Sequence, residues 1–164
     1  SALTGVQFTD QQLNVAEKAA IARLPYNLVL PELDITLAHG SFSDHWDYID
    51  EADRAREEIP HFQTKLCFVG HTHIPFIFGS EEGLIKDITE DMLLAGEQKF
   101  LINVGSVGQP RDGDCRACYA VIEIREGQFY FDLRRVFYDI QKTADAIYKH
   151  DLPSWLAERL LSGE

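Results

Sequence analysis

At 164 residues the chain has room for one domain with a sizeable core, and a single domain over residues 1–164 is expected. Its 45% hydrophobic and 26% charged residues are ordinary for a soluble globular protein. A formal net charge of −12, with no run of Lys/Arg longer than two, opposes non-specific attraction to nucleic acid or an anionic membrane.

Thr9-Asp10-Gln11-Gln12 reads as a capping box that opens a helix, with Leu13, Ala16, Ala20, Ile21 and Leu24 as its apolar stripe and Pro25 as its stop. Tyr26 to Leu30 and Ile35 to His39 read as strands of a hairpin turned at Pro31-Glu32. A charged helix follows from Asp50 to Ile59, ended by Pro60. Lys65 to Val69 and Ile74 to Phe78 read as strands on either side of Gly70-His71-Thr72-His73. Glu81-Glu82-Gly83 is a turn, the stretch to Gln98 is ambiguous, and Phe100 to Val104 is a strand leading into a glycine-rich loop that runs to Gly113. Tyr119 to Ile124 and Gln128 to Phe137 form a hairpin turned by Glu126-Gly127, with Phe129, Phe131 and Leu133 on one face as core. Two short helices, Thr143 to Lys149 and Pro153 to Leu161, close the chain. Strands mixed with helices predict a layered α/β fold.

The chemistry concentrates in histidines at strand ends. His71 and His73 stand one residue apart after the apolar run Leu66-Cys67-Phe68-Val69. In an extended segment such residues point to the same side, so both rings would reach into one cleft. His39 repeats the pattern, ending the strand Ile35-Thr36-Leu37-Ala38 and followed by Gly40. Imidazole suits borderline ions such as Zn, Mn, Fe or Ni.

Three blocks, Leu37-Ala38-His39-Gly40-Ser41, Val69-Gly70-His71-Thr72-His73-Ile74-Pro75-Phe76 and Ile102-Asn103-Val104-Gly105-Ser106-Val107-Gly108-Gln109-Pro110-Arg111-Asp112-Gly113, resemble the calcineurin-like metallophosphoesterase family. The third resembles the signature of a small, mostly prokaryotic branch, with Val104 where proline is common. The resemblance runs from about Phe8 to the C-terminus and covers the second half of the family's domain. The Asp-x-His, Gly-Asp and Gly-Asn-His motifs of the first half do not occur. It implies a four-layer α/β/β/α sandwich lacking its N-terminal strands, two divalent transition metals in the complete protein, and hydrolysis of a phosphate mono- or diester by a metal-bound hydroxide. His39 and His71 would bind one metal and His73 the other. The chain alone would then be inactive and would require a missing N-terminal half or a partner chain. The alternative is a non-catalytic scaffold or binding subunit on the same fold.

Other residues carry two readings each. Arg111 is either a bidentate phosphate clamp or the partner of Asp112 in a structural ion pair. The loop of Asn103, Gly105 and Ser106 offers backbone N–H groups to a substrate anion, or is a tight turn in which Asn103 and Ser106 bond backbone. His45, with Trp46 and Asp47, lines a substrate cleft or packs a helix start. His61 and His150 read as surface residues. Cys67 reads as a small buried hydrophobe, and Cys115-Arg116-Ala117-Cys118 as a coincidental C-x-x-C with no second pair at zinc-site spacing. The odd cysteine count and Ser1-Ala2-Leu3-Thr4, which lacks a signal-peptide start, predict a cytoplasmic protein, and no apolar run approaches the roughly 18–20 residues that span a bilayer.

Overall fold

The computed structural model describes residues 2–85 and 88–164 and forms two compact units. One comprises the chain up to Pro25 with Asp139–Ser162. The other comprises Tyr26–Tyr138 with Gly163–Glu164. It is a mixed α/β protein with two sheets and, among the described residues, five α-helices. None of those helices is long and apolar enough to cross a membrane.

The larger unit holds a six-stranded sheet in the order β1-β2-β3-β7-β4-β5 and a three-stranded sheet in the order β6-β9-β8. The strands of the first are β1 Asn27–Leu30, β2 Ile35–Ala38, β3 Leu66–Val69, β4 Phe76–Gly79, β5 Gly83–Ile85 and β7 Phe100–Asn103. Strands β2, β3 and β7 are parallel, and β1, β4 and β5 complete the sheet antiparallel to their neighbours. In β3 and β7 the side chains alternate between two cores. Leu66, Phe100 and Ile102 pack with Leu94, Phe129 and Phe131 of the region carrying the second sheet. Cys67, Val69 and Leu101 pack with Ile49, Ala55 and Phe62 on the opposite face. A strand buried on both faces has no polar side, so β3 and β7 appear in the sequence as unbroken apolar runs.

The second sheet is a hairpin of β8 Ala117–Arg125 and β9 Gln128–Val136, extended by β6 Met92–Leu93. Its two-residue turn has positive φ at both Glu126 (53°) and Gly127 (77°), the conformation that suits the twist of the flanking strands. The predicted Phe129/Phe131/Leu133 face does supply core. β6 lies in the stretch that the sequence left ambiguous, of which positions 86 and 87 fall outside the described residues.

The hairpin β1–β2 is antiparallel as expected, turned through a 3-10 segment Pro31–Leu33 and a left-handed Asp34. Helix α3 covers Ala52–Glu58. In the smaller unit one predicted helix is two. α1 spans Ala2–Gln12 and α2 spans Val15–Ile21. The capping box is not at Thr9 but at Asn14, whose side chain accepts from Glu17 N while the Glu17 carboxylate accepts from Asn14 N. That reciprocal pair starts a new helix within the predicted one. Thr9 lies inside α1 and donates its hydroxyl to Gly5 O at 3.0 Å. α4 Ile140–Lys149 and α5 Trp155–Ser162 correspond to the two short C-terminal helices.

Candidate metal centre

Because β2, β3 and β7 are parallel, their C-terminal ends lie at one end of the sheet, where antiparallel β4 begins. The register pairs Asn103 with both Val69 and Phe76. His39, the turn Gly70–His73 and the loop after Asn103 therefore meet, although they are far apart in sequence.

The turn is not extended. His71 (φ 66°) and His73 (φ 63°) are both left-handed, and Thr72 N donates back to Gly70 O at 2.8 Å. The same-side argument for two extended residues therefore fails. A left-handed non-glycine residue costs roughly 1–2 kcal/mol, so this turn is held by its surroundings. Asn103 is the main support. Its side chain is fully buried, and its Nδ2 donates to Gly70 O (2.6 Å) and Thr72 Oγ1 (2.8 Å), while Oδ1 accepts from Gly105 N (2.9 Å). Gly70 N also donates to His39 O at 2.9 Å, tying the two histidine-bearing ends together.

His39 Nε2 and His71 Nδ1 are 3.0 Å apart, with the rings edge-on. His71 Nε2 lies 3.0 Å from the Trp46 carbonyl. A carbonyl only accepts, so Nε2 carries the proton and Nδ1 presents its lone pair toward His39. By the same argument His73 Nδ1, 2.7 Å from Gln109 O, is protonated in the neutral ring. Tyr48 stacks on His71 at 4.3 Å. Partial burial lowers the His39 pKa below the usual imidazole value, and His71 lowers it further, which favours the neutral form that binds metals.

The structure thus brings His39 and His71 together and holds His73 through Gln109 on the same turn. Among the described residues, no three His, Cys, Asp or Glu side chains form a ready-made metal cage. The donors present fit an imidazole-preferring ion in part: ring nitrogens, with the tautomers of His71 and His73 fixed, and no carboxylate grouped with them among the described residues.

The remaining candidates differ in accessibility. Gly105 N is taken by Asn103, and Ser106 Oγ accepts from Gln109 N at 3.0 Å, so both shape the loop. Arg111 is half-buried, donates Nη2 to Gln109 Oε1 at 3.1 Å, and has a buried Nε without a partner among the described residues. Asp112 pairs with Arg135, and among the described residues it makes no ion pair with Arg111. His45 is stacked on Tyr26 at 4.1 Å. His61 and His150 are exposed. All three cysteines are free thiols; Cys67 is buried, as expected, and Cys118 packs beneath Gly105.

The sequence profile of the calcineurin-like phosphoesterase superfamily domain matches residues 10–127, and the chain belongs to that superfamily. Among solved structures, a metallophosphoesterase from Sphaerobacter thermophilus superposes with a TM-score of 0.84 at 34% identity, covering 96% of this chain and 67% of that one. A hypothetical protein from Pyrococcus horikoshii shares the fold, with a TM-score of 0.69 at 17% identity over 94% of this chain and 57% of its own. An uncharacterized protein of Methanocaldococcus jannaschii is 48% identical over 98 residues, which is 60% of this chain and 39% of that relative's length.

Proposed function

We propose that this chain supplies the imidazole side of a dinuclear metal centre that hydrolyses a phosphate mono- or diester. The observation that carries the reading is the approach of His39 Nε2 to His71 Nδ1 at 3.0 Å, close enough for the two ring nitrogens to share one ion in place of the proton between them. His73 is the third ligand, toward a second ion. Divalent ions such as Mn, Fe, Zn or Ni, when bound, supply Lewis acidity toward the phosphoryl oxygens and make water nucleophilic at neutral pH. The chain's own residues do the rest. The Trp46 and Gln109 carbonyls fix the ring tautomers. Arg111 neutralises and orients the phosphoryl group through its guanidinium. Asn103, Gly105 and Ser106 act on substrate indirectly, by shaping the loop that carries Arg111, and His45 borders the cleft.

Among the described residues no carboxylate is grouped with these histidines, so the 164 residues alone are expected to hold metal weakly and turn over little. The complementary donors would come from additional chain or from a partner. Titration with Mn²⁺, Co²⁺ and Zn²⁺ by calorimetry, followed by hydrolysis of bis-p-nitrophenyl phosphate and p-nitrophenyl phosphate, tests the reading. Saturable binding that His71→Ala abolishes, with turnover restored by the complementary donors, supports it. Binding unaffected by His71→Ala would remove these histidines from the site and favour a non-catalytic scaffold.

A further inference from the structure

The loop between His39 and Tyr48 is tied to helix α3 by a carboxylate that belongs to no ligand set. Glu58 lies in the charged segment Ala52–Glu58, yet it is only 1% exposed. Its Oε1 accepts from Ser41 Oγ at 2.7 Å, and its Oε2 accepts from Phe42 N at 2.8 Å. Ser43 Oγ lies at 3.4 Å from Oε1, and Ser41 Oγ in turn accepts from Ser43 N at 3.1 Å. One turn earlier on the same helix, Arg54 reaches Asp47 at 3.4 Å. Helix α3 therefore grips this loop at both ends.

What the loop carries explains why that grip matters. It begins at His39, presents the Trp46 carbonyl to His71 Nε2, and lays Tyr48 on the His71 ring. Gly40 leaves no slack: a Cβ there would sit 3.0 Å from His45 O and 3.1 Å from Asp47 O. A buried carboxylate is unfavourable unless fully hydrogen-bonded, and an apolar side chain would fill the same space without that desolvation. The donors gathered on Glu58 are those of the loop next to His39, so the group is placed to fix the loop rather than to add packing.

We infer that Glu58 is a positioning residue for the metal centre: through Ser41 and Phe42 it sets the loop that places His39 and holds His71 in its Nε2-protonated tautomer. The inference rests on the proposed metal role of His39 and His71, but its first readout does not. In the apo full chain, long-range ¹H–¹⁵N imidazole correlations should show His71 locked as the Nε2–H tautomer. Glu58→Ala should mix the two tautomers, and Glu58→Gln, which keeps one acceptor and the side-chain shape, should retain most of the lock. If Glu58→Ala fails to fold by circular dichroism, Ser41→Ala removes one tie without touching α3 and should shift the tautomer in the same direction. In a Co²⁺ titration the folded Ala variant should bind about tenfold or more weakly than wild type, the range typical when a ligand loses its outer support, with rescue in Glu58→Gln. An unchanged His71 tautomer in a folded Glu58→Ala or Ser41→Ala variant would overturn the inference. A wild type that shows the Glu58-dependent lock yet binds no Co²⁺ even with the complementary donors supplied would instead sink the metal reading and leave the positioning role standing.

Discussion

Replacing Asn103 with alanine tests whether its amide holds the histidine turn or serves a substrate. The side chain is fully buried and makes three internal hydrogen bonds. Truncation strands Gly105 N–H, a loss of about 1–3 kcal/mol for a buried donor. Gly70 O and Thr72 Oγ1 keep second partners in Thr72 N and the Ile74 backbone, so each loses only an ordinary bond, about 0.5–1.5 kcal/mol. The expected destabilisation is therefore about 2–6 kcal/mol, a large part of the roughly 5–15 kcal/mol that holds a typical domain. At this chain length each kcal/mol lowers Tm by about 2–4 °C, so a fall of at least ~4 °C should appear in thermal unfolding followed by circular dichroism. Asn103→Asp sharpens the test. It keeps the acceptor for Gly105 N but sets a carboxylate oxygen against Gly70 O, where 2.6 Å now separates donor and acceptor. That opposition raises the folded-state pKa of the new carboxyl above its unfolded value. The variant should therefore be most stable at acid pH, where the group is protonated, and should lose stability as pH rises through the carboxylate range. A change below about 0.5 kcal/mol in Asn103→Ala would refute the supporting role, because surface substitutions do as little.

Two further outcomes are expected. Gly105 has φ 72°, and a Cβ there would lie 2.8 Å from Cys118 Sγ. Gly105→Ala should therefore destabilise by about 1–3 kcal/mol in urea unfolding, and Cys118→Ala in the same chain should recover the packing share but not the backbone share; additive effects would break that account. Burial, followed by the charge of Glu58, pushes the Cys67 thiol from 9.0 up to about 12. A folded pKa above the unfolded one gives stability that is complete below about pH 9 and declines as pH rises toward 12. The urea midpoint of Cys67→Ala should fall less steeply over that window than that of wild type, and equal slopes would count against the burial argument.

Local misreadings came where two signals competed. Thr9–Gln12 and Asn14–Glu17 both spell an N-cap, and only the second makes the reciprocal bonds. β6 is two residues long, too short for any period to register, and is defined by its pairing with Tyr130 and Phe131. The His71–His73 spacing was visible, but the left-handed backbone that carries it depends on Asn103, about thirty residues away on a neighbouring strand.

What the sequence determined by itself is the set of chemical groups and their places on the scaffold. Strands buried on both faces must be apolar throughout, so β3 and β7 announce themselves, and the histidines and glycines just beyond β2 and β3 mark one sheet end. The three motif blocks suffice to identify the superfamily, and the profile match over residues 10–127 agrees. Tertiary structure alone decided which ring nitrogens meet, which tautomers they hold, and that Glu58 is inside. Those facts follow from hydrogen-bond partners 16 to 36 residues away, and from a charged helix whose pattern gives no sign that one carboxylate faces inward. Periodicity encodes which face of an element is buried; it does not encode which acceptor a distant donor will find once the chain has folded.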